Sequence, residues 1–272
     1  MNLNDRNVMV TGGSKGIGLA IAREFAAGGA NVFLVARNEQ TLSEAKEAIQ
    51  VSFPDIKVGT DSCDVSDYES VCNAVDAMRG EFGEIHGLVN NAGYAKPEYF
   101  ENIEPEEFRR TMEVDYLGSV FATKAVLPYL RPGAFIAFTS SVAGYVGAFG
   151  YTSYAPAKFA QIGFAESLEQ ELLSREIQVS VLCPPDTNTP GYATENETKP
   201  FETHEISKGA KLMQAEDVAS RFVDKLQRGA FIINVNIESQ AIYRLKGIAP
   251  KLARRILHGM VRAAQKKKGR TG

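Results

Sequence analysis

No stretch of the 272-residue chain approaches the ~18 uninterrupted apolar residues that a membrane-crossing helix requires. The first strand-like run, Asn7–Val10, starts almost at the N-terminus, so neither a signal peptide nor a hydrophobic anchor is expected ahead of it. Cysteine is scarce. Cys63, Cys72 and Cys183 are far apart, odd in number and without metal-ligand spacing. They argue against a disulfide framework and point to a reducing, cytoplasmic compartment, where the sequon Asn196-Glu197-Thr198 carries no weight. The three histidines, His86, His204 and His258, have no acid or nucleophile at a suggestive spacing. None is assigned to catalysis, and no metal site is expected.

Acid is missing from one end of the chain. From Ser239 onward there is no Asp or Glu, while ten basic residues fall between Arg244 and Arg270. The first 238 residues hold 20 positive and 33 negative charges, a net of −13 against +10 in the tail. From Pro250, the apolar residues Leu252, Ile256, Met260 and Ala263 recur at helical spacing among Lys251, Arg254, Arg255, His258 and Arg262. A basic amphipathic helix of this kind suits an anionic membrane surface, so the expected partner is a lipid surface and not nucleic acid. A solvated terminal helix is the alternative.

What is present is an alternation. Short apolar runs at Val8–Val10, Val32–Ala36, Lys57–Asp61, Gly87–Val89, Phe135–Phe138, Gln178–Leu182 and Ala230–Asn234 are separated by helix-length amphipathic stretches. The longest expected helices are Glu106–Tyr129 and Ala155–Arg175. Strands that are apolar at nearly every position imply a parallel sheet covered on both faces. With no linker or repeat in view, residues 1–238 read as one doubly wound α/β domain. Residues 239–272 form a basic extension, and a polar, aperiodic stretch at about 186–214 reads as a lid.

The first strand runs into Thr11-Gly12-Gly13-Ser14-Lys15-Gly16-Ile17-Gly18 and then a helix. Glycines let the backbone approach a pyrophosphate, and a helix N-terminus favours its charge. Gly12, Ser14, Lys15, Gly16, Ile17 and Gly18 are therefore candidate dinucleotide contacts. The second strand ends Val35-Ala36-Arg37-Asn38, without the acid that holds a ribose 2′-hydroxyl. Arg37 and Lys15 instead suit a 2′-phosphate, which points to NADPH.

Between Ser140 and Ala160 lie three tyrosines, but only one has a lysine partner. Tyr154 and Lys158 are four apart, one turn along a helix whose start Pro156 supports. An ammonium close to a phenol favours the phenolate, so Lys158 is expected to lower the pKa of Tyr154. Ser141, thirteen residues before Tyr154, can hydrogen-bond a substrate oxygen. Tyr145 and Tyr151 are left as packing or pocket-wall residues.

With Asp64-Val65 after the third strand and Asn90-Asn91-Ala92-Gly93 after the fourth, these motifs in this order resemble the short-chain dehydrogenase/reductase family, over essentially the whole chain. The resemblance implies a Rossmann-type sheet, a homodimer or homotetramer, and assigned roles. Tyr154 protonates a carbonyl, Ser141 orients it, and Lys158 holds the nicotinamide ribose, with Tyr154 and Lys158 both at the cofactor. Asp64 and Val65 contact adenine, and Asn91, Ala92 and Gly93 line the cofactor. Two positions depart from the family pattern. Asp115 stands where the family has an asparagine that holds a proton-relay water, a role its backbone carbonyl could fill. Pro184-Pro185 replaces Pro-Gly, leaving Thr187 and Thr189 to meet the carboxamide end. The lid, with Leu34–Asn38 and Tyr116–Val120, resembles members that act on a long-chain lipid ketone. They imply NADPH-dependent reduction of the 3-keto group of 3-ketosphinganine to sphinganine. Reduction of a ketosteroid, retinoid or 3-oxoacyl thioester is the alternative within the family. A non-catalytic, membrane-associated dinucleotide-binding protein is the alternative outside it.

Overall fold

Neighbouring residues along a strand point to opposite faces, so a sheet with helices on both sides needs apolar residues at every position. The computed structural model, which describes residues 1–271, shows this arrangement. The side chains of residues 270 and 271 lie outside the described residues, Arg270 of the basic tail among them. The first half runs β1 (Asn7–Thr11), α1 (Gly16–Ala27), β2 (Asn31–Ala36), α2 (Glu39–Ser52), β3 (Val58–Ser62), α3 (Tyr68–Phe82) and β4 (Gly87–Asn90). The second continues with α4 (Pro105–Thr111), a π-helical turn (Met112–Leu117), α5 (Gly118–Val126), β5 (Phe135–Thr139), α6 (Tyr154–Leu172) and β6 (Gln178–Cys183). After β7 (Thr187–Asn188) come α7 (Pro190–Asn196), α8 (Phe201–Ser207), β8 (Met213–Gln214), α9 (Ala215–Gln227) and β9 (Ile232–Asn234). Two helices, α10 (Ile237–Ile248) and α11 (Pro250–Thr271), end the chain.

Seven strands pair in parallel in the order β3-β2-β1-β4-β5-β6-β9. Val8, Val10, Val32 and Leu34 face one core with α1, α2 and α9, while Met9, Phe33 and Val35 face the other with α3, α5 and α6. Fully buried phenylalanines fill both layers, each contributing about 1.5–3 kcal/mol by removal from water. Phe25 and Phe135 stack at 5.6 Å on one face, and Phe138 meets Phe164 edge-on at 5.7 Å on the other. The chain reverses its direction of travel across the sheet between β1 and β4. A switch of this kind opens a crevice at the C-terminal ends of the strands.

Three departures from the sequence-based reading bear on function. The expected helix Glu106–Tyr129 is broken into α4, the π turn, α5 and a last tight turn at Leu127–Tyr129 that contains Pro128. The wider π turn carries Asp115, which is fully buried. The lid is not a loop: it holds α7, α8 and the β7–β8 pair. At seven residues each, those helices are too short to show a 3.6-residue period. Finally, α10 was not anticipated. Asn236 caps it by accepting the Ser239 N–H at 2.8 Å, but Ile237 and Ile248, which would mark an amphipathic face, are exposed.

The C-terminal helix has two apolar sides. Ala253 and Ala264 are buried against the body, while Leu252, Ile256 and Met260 are 42–48% exposed. Its last turns reach the lid. Lys267 pairs with Glu205 of α8, and Lys268 lies 3.6 Å from Glu202 and donates to the Tyr99 hydroxyl at 2.7 Å. Among the described residues no helix is long and apolar enough to cross a membrane.

Candidate active site

A cavity of about 700 Å³ follows the C-terminal ends of the strands. Gly12, Ser14, Lys15, Gly16 and Ile17 line one end of it. Gly12 has φ +65°, and a Cβ there would stand 2.9 Å from the Ala92 Cα, so only glycine suits this crossing of two loops. The Thr11 hydroxyl accepts the N–H groups of Asn91 at 3.0 Å and Ala92 at 3.1 Å. The Asn91 amide donates back to the carbonyls of Thr11 at 3.2 Å and Gly12 at 3.3 Å. Gly18 does not reach the cavity. A side chain there would strike the Gly12 carbonyl and the Asn91 amide, so Gly18 permits the close approach of α1 to the glycine loop and Asn91. The bare backbone at the start of α1 leaves a cradle of the kind a pyrophosphate fits.

Farther along the rim are Arg37, Asp64 and Val65, followed by Asn91, Ala92 and Gly93. Arg37 and Lys15 are exposed at the edge of the cavity. Asp64 bonds to the Ser66 hydroxyl at 2.7 Å and its N–H at 3.0 Å. The Ser66 hydroxyl above all, with the Arg37 charge assisting, holds its carboxyl below the usual range. The end of β2 that lines the cavity, Ala36-Arg37-Asn38, carries no acid, which suits a phosphate better than a hydroxyl at that place.

The reacting cluster sits where β5 ends and α6 begins. Ser141 follows β5, and its hydroxyl accepts the Ala143 N–H at 3.1 Å, on the same cavity wall as the phenol of Tyr154. Tyr154 opens α6, with Lys158 one turn on and its ammonium 5.4 Å from the centre of the Tyr154 ring. All three line the cavity. Lys158 is buried, donates to the Thr139 carbonyl at 3.1 Å and lies 3.2 Å from Asp115 Oδ2. Asp115 itself lies beneath the cavity wall and does not line it. Its other oxygen accepts the Tyr94 N–H at 3.0 Å. Its backbone carbonyl accepts the Gln161 amide at 2.8 Å, while its carboxylate faces Lys158.

This charge arrangement corrects the expected effect of Lys158. The Tyr154 phenol is not lowered: burial, the negative charges of Asp115 and Glu195, and then that of Asp186 push it up, with the Ser141 hydroxyl pulling the other way. The lysine's charge is neutralised by the aspartate beside it. Burial likewise raises the carboxyl of Asp115, with the Lys158 ammonium pulling it back.

Pro184, Thr187 and Thr189 line the cavity where the lid begins. The Thr187 hydroxyl donates to the Pro185 carbonyl at 2.8 Å. The Thr189 hydroxyl accepts the Tyr192 N–H at 3.0 Å and so caps α7, directly beside the glycine loop. The lid adds a polar network that sequence reasoning missed. Glu195 pairs with Lys199 at 2.8 Å and accepts from the Tyr151 hydroxyl. Lys199 stands 4.0 Å from the centre of the Tyr192 ring, and Tyr192 donates to Asp186 at 3.3 Å. The i,i+4 spacing of Glu195 and Lys199 was the available signal. Of the two remaining tyrosines, Tyr151 lines the cavity. Tyr145 is packing, its hydroxyl bonded to Asn234 at 2.8 Å.

Removing one partner of a buried ion pair leaves a charge without compensation. Asp115→Ala is expected to cost about 3–5 kcal/mol in urea unfolding, and the double variant Asp115→Leu/Lys158→Met to recover most of it. A loss below about 1 kcal/mol in Asp115→Ala would contradict the pairing.

Residues 6–200 match the family model described as short chain dehydrogenase. The 3-dehydrosphinganine reductase of Danio rerio is 43% identical over 236 residues, covering 85% of this chain and 71% of the relative. The 3-ketodihydrosphingosine reductase of Bos taurus is 40% identical over 250 residues, 90% of this chain and 75% of the relative. Among solved structures, a short chain dehydrogenase from Burkholderia cenocepacia J2315 in complex with NADP superimposes with a TM-score of 0.75 at 26% identity, over 87% of this chain and 99% of that one. Matched from just before β1 to the threshold of α8, the chain belongs to the short-chain dehydrogenase/reductase family.

Proposed function

We propose that this chain reduces the 3-keto group of 3-ketosphinganine to sphinganine with NADPH. The observation that carries the reading is the placement of Tyr154, half-buried with Ser141 and Lys158 on the wall of one cavity, whose rim is cationic at Lys15 and Arg37. The Danio rerio and Bos taurus relatives, by their names, supply the substrate. NADPH, when bound, supplies a hydride to the ketone carbon. Ser141 orients the carbonyl oxygen, and Tyr154 gives it the phenolic proton, which completes the alcohol. Burial, above all, pushes the phenol upward, so Tyr154 carries the proton that ketone reduction consumes. Lys158 orients the ribose side of the cofactor, and Arg37 with Lys15 takes the 2′-phosphate.

Purified protein should oxidise NADPH in the presence of 3-ketosphinganine, and NADH at least tenfold less efficiently. Tyr154→Phe should lose about 10²- to 10⁴-fold in kcat while still binding NADPH, as expected for loss of a general acid. Turnover of a ketosteroid, retinoid or 3-oxoacyl thioester in place of 3-ketosphinganine would move the substrate elsewhere in the family. Full activity in Tyr154→Phe would end the enzymatic assignment of this residue.

The same reading divides the labour along the chain. Residues 1–238, with the lid at about 186–214, carry the chemistry, and residues 239–272 meet an anionic membrane surface from which a long-chain base is delivered. The exposed row Leu252, Ile256 and Met260, set among arginines and lysines, supports this. Replacing those three residues by serine should weaken binding to phosphatidylserine vesicles at least tenfold in a sedimentation assay. Equal binding by the variant would contradict the membrane role.

A further inference from the structure

Three carboxylates act on the phenol of Tyr154: Asp115, Glu195 and Asp186. Asp115 is neutralised by Lys158 and Glu195 by Lys199. Asp186 takes part in neither pair. Among the described residues its side chain accepts one long hydrogen bond, from the Tyr192 hydroxyl at 3.3 Å, and no lysine, arginine or histidine forms an ion pair with it. It stands directly after Pro184-Pro185, half-buried on the cavity wall. Its backbone is fixed by the carbonyl, which accepts the Met213 N–H at 3.1 Å where β7 and β8 pair. The carboxylate is thus positioned by main-chain structure, without a cation of the protein to meet it.

The proposed substrate brings such a cation. 3-Ketosphinganine carries an amino group on the carbon next to its ketone. With the ketone oxygen at Ser141 and Tyr154, the ammonium is confined to the same end of the cavity. Asp115 is already paired with Lys158 and Glu195 with Lys199, which leaves Asp186 as the carboxylate on this wall without a cation. We propose that Asp186 binds the substrate ammonium and selects 2-amino ketones over plain ketones. This rests on the substrate reading above. It has a chemical consequence: the bound ammonium offsets the negative charge near Tyr154, which makes the phenol a stronger proton donor only when the amine is in place.

The test is Asp186→Asn assayed at saturating NADPH with 3-ketosphinganine and with 1-hydroxyoctadecan-3-one, the same chain without the amine. The ratio of kcat/KM for the amino ketone over the plain ketone should fall about tenfold or more, the worth of a charge-assisted hydrogen bond. Asp186→Glu should restore part of it. A parallel loss on both ketones, or an unchanged ratio, overturns the subsite. A wild-type protein inactive on 3-ketosphinganine but active on other ketones overturns the substrate reading instead, and the subsite with it.

Discussion

Lys158 and Asp115, buried 3.2 Å apart under the cavity wall that Lys158 reaches, hold the reacting cluster in place. A lone charge in that position would cost several kcal/mol, so each needs the other and the dipoles around them. Thr139 brings the end of β5 to the lysine, and Tyr94 brings the loop after β4 to the aspartate. Gln161 of α6 ties the Asp115 backbone down. The pair therefore joins β5, α6, the loop after β4 and the π turn in one place. Within the π turn Asp115 is the buried residue, so the widened backbone is what carries this charge into the core.

The pair's chemical consequence is restraint. A lysine beside a phenol ordinarily makes the phenolate easier to form, but here the ammonium faces a carboxylate and Tyr154 stays protonated. That suits a site which delivers a proton to a ketone oxygen. The rest of the cavity follows from sheet topology. The reversal of strand order at β1 and β4 brings the glycine loop against Asn91–Gly93. The lid then returns across the same edge, with Thr189 beside Gly16 and Glu195 bonded to Tyr151.

The sheet was legible because its strands are buried on both sides and read as unbroken apolar runs. Tyr154 and Lys158 were legible because a four-residue spacing at a helix start can be read without a structure. Other features left no such trace. Seven-residue helices such as α7 and α8 give no period, and α10 turns several of its isoleucines outward, so its pattern does not mark a core face. The break at Met112–Leu117 depends on the burial of Asp115, a tertiary fact. The same limit applies to acidity: spacing placed Lys158 near Tyr154, but the charge that reaches the phenol depends on Asp115, 39 positions before it in sequence. Glu195–Lys199 could have been read from its spacing, whereas its position over Tyr151 could not.

The pH dependence of kcat for ketone reduction, compared between wild type and Asp115→Asn, tests this account most directly. The phenol must be protonated to act, so activity is full below its pKa and falls above it. Asparagine removes the negative charge that disfavours the phenolate. The alkaline fall in activity should therefore come at lower pH in the variant than in the wild type. A fall at the same pH, or at a higher one, would show that the buried pair does not govern the acidity of Tyr154.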